Sequence, residues 1–344
     1  MKYYSIISSN ITPKMVKLYQ DILNKKFKFK QLKGNKMWTD YDILIDLKAT
    51  PFNFGKQYTL YPSPYKDVIQ NNKNAYIGST PVDPIIANKH IMNYNELDFY
   101  PKSFNFPLNN NLNNKLLKFN YFIIKPSFGY GGKDIKIVSR DNLISELKDY
   151  KKDKYPLVIQ RYITNPLLLN GYKFDFRVYV LYIDNKVYVN KHFIARLAGK
   201  KYNSNKPHDI KAGLTNFSLH KNKNLILSET EFYKKYKKEY KNDSFNYLND
   251  KLLNKIIKLI KKFFIFIRKE IKMDFWKDKK NHYFNLFGFD ILPDDKGKLW
   301  LLEVNKKPSL KWGKEDSKEE YMTELVEDMI KIILKKNQSS FIEV

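Results

Sequence analysis

Residues 284–292 (FNLFGFDIL) and 299–305 (LWLLEVN) are two short, almost wholly apolar runs on either side of the turn Pro293–Lys298. Runs of that length, separated by proline, glycine and aspartate, read as the two strands of a hairpin. Strands this apolar must be covered, so the chain has to build a layered sheet structure around them. Side chains alternate along a strand, which predicts Glu303 and Asn305 on one face and Trp300, Leu302 and Val304 on the other. If Leu292 pairs with Leu301, Asp290 lies opposite Glu303 and Gly288 opposite Asn305. Two carboxylates and an amide oxygen then converge on one patch. Hard oxygen ligands of this kind suit magnesium, which takes one or two carboxylates and leaves room for phosphates and water. The other reading is two acids that merely pair with lysines on an exposed face. Apolar flanking strands weigh against it, because unpaired carboxylates are costly in such surroundings.

A second constraint comes from residues 173–180 (KFDFRVYV), where Lys173, Asp175, Arg177 and Tyr179 alternate with Phe174, Phe176, Val178 and Val180. The period of two predicts a strand with one apolar face, its other face carrying cation, anion, cation. An amphipathic strand facing water has this pattern. So does a strand that fixes positive charge where phosphoryl oxygens gain negative charge. A third segment, residues 121–133 (YFIIKPSFGYGGK), delivers Lys125 from a predicted strand into a glycine-bearing loop. Backbone N–H groups of such loops can approach phosphate closely. A plain turn explains the glycines equally, and the spacing is neither a P-loop nor a dinucleotide fingerprint. His90, His192, His208, His220 and His282 show no zinc-ligand spacing, and no G-x-S-x-G elbow is present.

Elsewhere the periodicities predict an α/β chain. Residues 3–8 form a strand, Thr12 and Pro13 start a helix, and residues 41–47 form a second strand, giving a β-α-β unit. Residues 50–82 read as a linker and Pro101–Asn114 as a loop. Strands are predicted at 121–126, 135–139, 157–163, 174–183 and 186–197, with Asp184 and Asn185 turning the last pair. The stretch Ser204–Asn224 reads as a polar loop. Residues 248–272 form a lysine-rich helix whose stripe, from Leu253 to Ile271, faces the core. The last helix begins at Ser317, with Glu320 completing a capping box.

Composition then narrows the class. A chain of 344 residues is long enough for two or three subdomains. The formal net charge is +27, which attracts nucleic acid, an anionic membrane surface or an acidic protein. A lysine- and asparagine-rich coding bias would leave the same mark. Cysteine is absent, which excludes disulfides, thiolate metal sites and cysteine nucleophiles and is compatible with a cytoplasmic protein. The first ten residues lack the apolar stretch of a signal peptide, and no run of ~18 apolar residues predicts a membrane span.

In order and spacing, four stretches resemble the tubulin–tyrosine ligase and tubulin–tyrosine-ligase-like family. They are IIKPSFGYGGKDI (123–135), VIQRYITNPLLLNGYKFDFRVYVL (158–181), LTNFSLHK (214–221) and FNLFGFDILPDDKGKLWLLEVNKKPS (284–309). The resemblance runs from about Lys89 to Ser309. It implies an α/β (α+β) ATP-grasp fold of three subdomains: residues 1–75 with the linker, 76–163 and 164–344. ATP would lie between the central and C-terminal parts.

By the same resemblance Lys125 and, upstream, Lys89 contact the nucleotide. Gln160, Arg161, Tyr162 and Ile163 line the adenine pocket. Lys173, Asp175 and Arg177 match the phosphate and ribose strand, and Arg196 an arginine near the acyl-phosphate site. Arg177 and Arg196 carry the catalytic role. Thr215 and Asn216 match the family's L-T-N motif, and Asp290, Glu303 and Asn305 its Mg2+ ligands. One departure is plain: the family usually has histidine before L-T-N, where this chain has Gly213.

The implied activity is ATP-dependent ligation of an amino acid to a protein through an acyl phosphate, with tubulin tails as acceptors. Glutamate is favoured over tyrosine. LTNFSLHK is more similar to glutamylase-type members, and Arg196, Lys211, His220 and Lys221 would gather cations around a side-chain carboxylate. A cytoplasmic, microtubule-associated protein follows, with no membrane partner and no nucleic-acid motif. Two other readings stand beside it: an ATP-grasp ligase for another protein or a small molecule, and a polybasic binding protein that keeps the fold with weak catalysis.

Overall fold

The N-terminal periodicity produces β1 (Tyr3–Ile7), α1 (Pro13–Asp21) running into a π-turn at Ile22–Lys26, β2 (Lys30–Gln31) and β3 (Ile43–Asp46). Here and below the structure is a computed structural model. It describes residues 2–7, 13–33, 41–46, 75–78, 86, 94–106, 118–127, 134–148, 156–216, 225–240, 251–270, 282–310, 316–337 and 340–344. The chain continues through β4 (Tyr76–Ile77), β5 (Ser103–Phe106), β6 (Tyr121–Pro126), β7 (Lys136–Ser139), α2 (Arg140–Lys148) and β8 (Leu157–Arg161). Next come β9 (Leu168–Leu169), the long β10 (Tyr172–Ile183) and β11 (Lys186–Lys201), α3 (Ile210–Gly213), β12 (Ile226–Ser228) and α4 (Glu229–Glu239). The last elements are α5 (Leu252–Glu270), β13 (His282–Pro293), β14 (Leu299–Lys306), α6 (Asp316–Ile333) and β15 (Phe341–Glu343).

The strands form two sheets. The larger runs β12-β11-β10-β13-β4-β3-β1-β2, with β14 also on β13, β15 on β11 and β9 on β10; the smaller is antiparallel, in order β5-β8-β6-β7. The expected β-α-β start is present, since β1 pairs with β3 in parallel from Tyr4↔Ile43 to Ile7↔Asp46. Two expected loops contain strands instead. Tyr76–Ile77, within the predicted linker, pairs in parallel with both β3 and β13 and ties the N-terminal unit to the main sheet. Ser103–Phe106, within the predicted loop 101–114, edges the smaller sheet. Both runs are too short for periodicity to register. Their pairing is made by backbone groups, and Tyr76 gains stability by stacking on His282, ring centroids 4.6 Å apart.

The turn between β10 and β11 has Asp184 at φ 47° and Asn185 at φ 67°. That is the type I′ geometry whose twist matches the flanking strands, and Asp and Asn tolerate it better than most residues. The β13–β14 pairing carries a correction. Asp290 does face Glu303 and Gly288 does face Asn305, but Leu292 pairs with Trp300 and Ile291 with Leu301. An extra residue, Leu302, bulges from β14 and shifts the alternation by one. Trp300 and Leu302 therefore lie on the face of Glu303, not opposite it, and pack with Ile163 and Leu292. Leu301 and Leu299 join Val304 in the main core.

That core fills one face of the large sheet, where α4 and α5 cover Phe174, Phe176, Val178, Phe193, Phe287 and Phe289. The apolar stripe of α5 enters here through Leu252, Ile256, Leu259, Ile260, Phe263, Phe264 and Ile267, leaving its lysines outside; Ile271 lies outside the described residues. The opposite face is covered by α1 and α6 at one end, where Tyr179, Leu181, Leu286, Leu325, Val326 and Ile330 pack together. Helix α6 starts at Asp316; Glu320 is exposed, and the side chain of Ser317, the expected N-cap, lies outside the described residues. A capping box is formed instead by Ser228 and Glu231 at the head of α4. Among the described helices none is long and apolar enough to cross a membrane.

Candidate active site

Where the α1–α6 side of the large sheet runs out of apolar residues, it carries Lys173, Asp175 and Arg177 on β10, Arg196 on β11 and Asp290 on β13. All five are buried, as are Phe174, Phe176 and Val178 on the other face of β10. The strand does not face water. The smaller sheet and the segment after α3 lie over this end of the large sheet, and between them is an open cleft whose empty space, its mouth included, is about 610 Å³. Its walls include Lys125, Gln160, Arg161, Tyr162, Ile163, Lys173, Asp175, Arg196, Thr215, Asn216, Asp290 and Glu303. Of the expected site residues, Arg177 and Asn305 sit just behind this lining, bonded to Asp290. Lys89 and the glycine loop at 128–133 lie outside the described residues.

The cations are held in distinct ways. Lys125 donates from Nζ to Gln160 Oε1 at 2.8 Å, and Gln160 Nε2 donates to Ser103 Oγ at 2.9 Å. Lys173 donates to the Tyr162 hydroxyl at 3.0 Å, with its Nζ 4.2 Å from the centre of that ring. Burial pushes the Lys173 ammonium down to about 7; Asp175 opposes this and Lys125 adds to it. Arg196 grips Asp175 with two bonds, Nε to Oδ1 at 2.7 Å and Nη2 to Oδ2 at 2.5 Å, and its Nη2 also lies 2.9 Å from Asp290 Oδ2. Thr215 Oγ1 donates to Asp175 Oδ2 at 2.5 Å. Arg177 binds Asp290 through Nε to Oδ1 at 2.5 Å and Nη2 to Oδ2 at 3.0 Å. Burial disfavours the charge on both guanidiniums, but Asp290 for Arg177, and Asp175 with Asp290 for Arg196, outweigh it and hold both above the ordinary arginine value. Burial pushes the Asp290 carboxyl up, and the two guanidiniums oppose that.

Among the described residues no three His, Cys, Asp or Glu side chains are grouped to hold a metal. The oxygen set of Asp290, Glu303 and Asn305 is two carboxylates and an amide. The Asn305 amide nitrogen donates to Asp290 Oδ2 at 3.2 Å and to Glu303 Oε1 at 3.1 Å. Asn305 thus touches both acids, and a half-turn of its amide would turn its oxygen toward theirs. That set fits magnesium, which completes its shell with phosphate and water. Lys125 and Lys173 fit the phosphates of a nucleotide. Ile123, Ile163, Leu292 and Leu302, also in the cleft wall, fit an apolar ring. Leu302 was not recognisable as a site residue from the sequence, because strict alternation places it on the wrong face and only the bulge turns it inward, whereas Leu292 follows from alternation with Asp290.

Gly213 also lines the cleft, at the end of α3. A Cβ there would stand 2.6 Å from Ile137 Cδ1 and 2.8 Å from the Tyr162 hydroxyl. A side chain at this place, where the family usually carries histidine, would have to displace the Ile137 tip or the Tyr162 hydroxyl.

Residues 59–340 match the family described as the Tubulin-tyrosine ligase family. A probable tubulin polyglutamylase of Caenorhabditis elegans is 32% identical over 204 residues, covering 55% of this chain and 46% of that protein. A probable alpha-tubulin polyglutamylase of Tetrahymena thermophila is 30% identical over 263 residues, covering 70% of this chain and 62% of that protein. A tubulin glycylase of the same organism is 26% identical over 226 residues, 62% of this chain and 21% of that protein. The chain thus spans roughly half the length of the first two relatives. With a match that runs through the strands of the cleft and through most of its length, this chain belongs to the tubulin–tyrosine ligase family.

Proposed function

We propose that this chain is an ATP-dependent ligase that adds glutamate to an acidic protein tail, tubulin being the favoured acceptor. The observation that carries this reading is the cleft lined by Lys125, Lys173, the buried Arg196, Asp290 and Glu303, with Arg177 and Asn305 bonded to Asp290 just behind it. A carboxylate is a poor electrophile. The γ-phosphoryl group of ATP is transferred to a carboxylate oxygen, releasing ADP. The incoming amine then attacks the acyl carbon, the C–O bond to phosphate breaks, and an amide and inorganic phosphate result. Positioning and charge stabilisation can supply most of this catalysis.

In this reading the fold is an ATP-grasp, divided near residues 75 and 163. ATP lies between the small sheet and the large one, with Lys89 and Lys125 on its phosphates and Gln160, Arg161, Tyr162 and Ile163 around its base. Lys173, Asp175, Thr215 and Asn216 orient the ribose and phosphates, while Arg177 and Arg196 stabilise the charge that develops on the transferred group. Asp290, Glu303 and Asn305 would hold Mg2+, which neutralises phosphate charge when bound. The names of the relatives support tubulin as acceptor and glutamate as the added amino acid, and a cytoplasmic, microtubule-associated location goes with that substrate. The test is incubation with tubulin, ATP and equimolar glutamate, glycine and tyrosine, read by intact-mass spectrometry. Mass increments of glutamyl residues are expected. Addition of glycine or tyrosine alone overturns the choice of amino acid, and no addition to tubulin overturns the acceptor.

A further inference from the structure

The bare Cα of Gly213 packs against the smaller sheet at the cleft wall. On one side is Ile137 of β7, on the other the Tyr162 hydroxyl just past β8, and Ile123, Ile137, Tyr162 and Leu214 pack as one buried cluster. The Tyr162 hydroxyl has one proton to give, and it gives it to the Gly213 carbonyl at 3.2 Å. With that proton committed, its lone pairs are left for Lys173, whose Nζ donates to it at 3.0 Å. Lys173 is buried and enters the cleft beside Asp175. The charged and titratable groups that face it are Asp175 on its own strand, Lys125 from β6, Tyr162, and Tyr202 beyond β11, whose ring centre is 5.9 Å away. Tyr202 is itself anchored, since its hydroxyl donates to the Thr164 carbonyl at 2.9 Å.

We infer that Gly213 is a positioning residue: by leaving room for the Tyr162 hydroxyl between its own carbonyl and the Lys173 ammonium, it sets where Lys173 points in the cleft and how readily Lys173 carries charge. This rests on the nucleotide reading of the cleft. It goes beyond that reading, because it gives the glycine at the departed histidine position a part in aiming a phosphate-facing lysine. A side chain at 213 would push the hydroxyl aside. Removing the hydroxyl would take away an acceptor from a buried ammonium, which favours the neutral amine. Gly213→Ala and Tyr162→Phe should therefore act in the same direction, although one adds an atom and the other deletes one.

The experiment follows the titration of the Lys173 side chain by carbon-13 NMR in the free full-length chain. The resonance is assigned by its loss in Lys173→Arg. ATP affinity is measured alongside by calorimetry from pH 6 to pH 9. In both variants the Lys173 titration should move to lower pH. For a titration moved by one pH unit, ATP affinity should fall by about tenfold on the alkaline side and only about twofold at pH 6. The titration of ATP itself is common to all the proteins and cancels in the comparison. A Lys173 titration that stays in place while ATP affinity drops equally at every pH overturns the inference and leaves the nucleotide reading standing. A titration that moves in a protein that binds no ATP supports the inference and overturns the nucleotide reading. Thermal unfolding checks that the variants fold. If Gly213→Ala does not, Tyr162→Phe, which removes a single oxygen, decides.

Discussion

Single side chains in this molecule work as pairs, and their substitution tests two separate things. Glu303 is half-buried and lies beside Asn305 and Asp290, so Glu303→Gln keeps its shape and removes its charge. If the oxygen set holds magnesium, magnesium-dependent ATP turnover should fall at least ~100-fold, since a lost metal carboxylate removes several kcal/mol of charge stabilisation. The fold, read by circular dichroism, should be unchanged; turnover within a few-fold of the parent rules out the metal assignment. Arg196 is different, because it bridges Asp175 and Asp290 inside the protein. Arg196→Leu leaves two buried carboxylates short of their partner, and breaking such a pair costs about 3–5 kcal/mol. A lower unfolding midpoint in denaturant with an unchanged slope is the expected result. A midpoint equal to the parent's would mean that Arg177 and Thr215 suffice to hold both acids.

At the level of elements, α5 and β14 show what periodicity can and cannot say. The helix was legible because a stripe of Ile and Phe recurs at helical spacing, and that stripe does bury itself against β13 and β10. Phe263 has no exposed surface, while Ile265 on the same helix is 56% exposed. Phe263→Ala should cost about 3–5 kcal/mol, and Ile265→Lys should stay within about 0.5 kcal/mol. Chemical denaturation of the two variants separates them, and equal losses would mean that the helix docks by another face. Strand β14 was legible as a strand and misread in its facing, because a bulge is a pairing defect that leaves no periodic trace. The same hairpin makes a tight spot at Gly288, where a Cβ would stand 2.7 Å from the Pro308 Cβ and 3.1 Å from Arg177 Cδ. Gly288→Ala should destabilise by about 1–3 kcal/mol through overpacking. Because Gly288 faces Asn305, ATP turnover should drop further than stability alone explains.

For the whole molecule the governing quantity is the net charge of +27. Binding of a glutamate-rich tail peptide should weaken steeply as salt rises, because the Debye length contracts to ~8 Å at physiological ionic strength. A salt series by fluorescence anisotropy measures this; an affinity independent of salt would exclude electrostatic capture, and a preference for duplex DNA would favour nucleic acid as the partner. The sequence by itself determined the alternation of β10, the β13–β14 hairpin, the core-facing stripe of α5 and, by resemblance, the family. Those are local patterns, in which the period of two or of 3.6 is written into neighbouring residues. Only the tertiary structure decided that Tyr76–Ile77 and Ser103–Phe106 are strands, that Leu302 turns into the cleft, and that Arg177 and Arg196 are bound to Asp290 and Asp175. These depend on partners far apart in the chain, which bring backbone edges and buried charges together only once the sheets have closed. Gly213 joins both sides. A sequence shows that the side chain is missing, and only the fold shows that Ile137 and the Tyr162 hydroxyl occupy the space it would need.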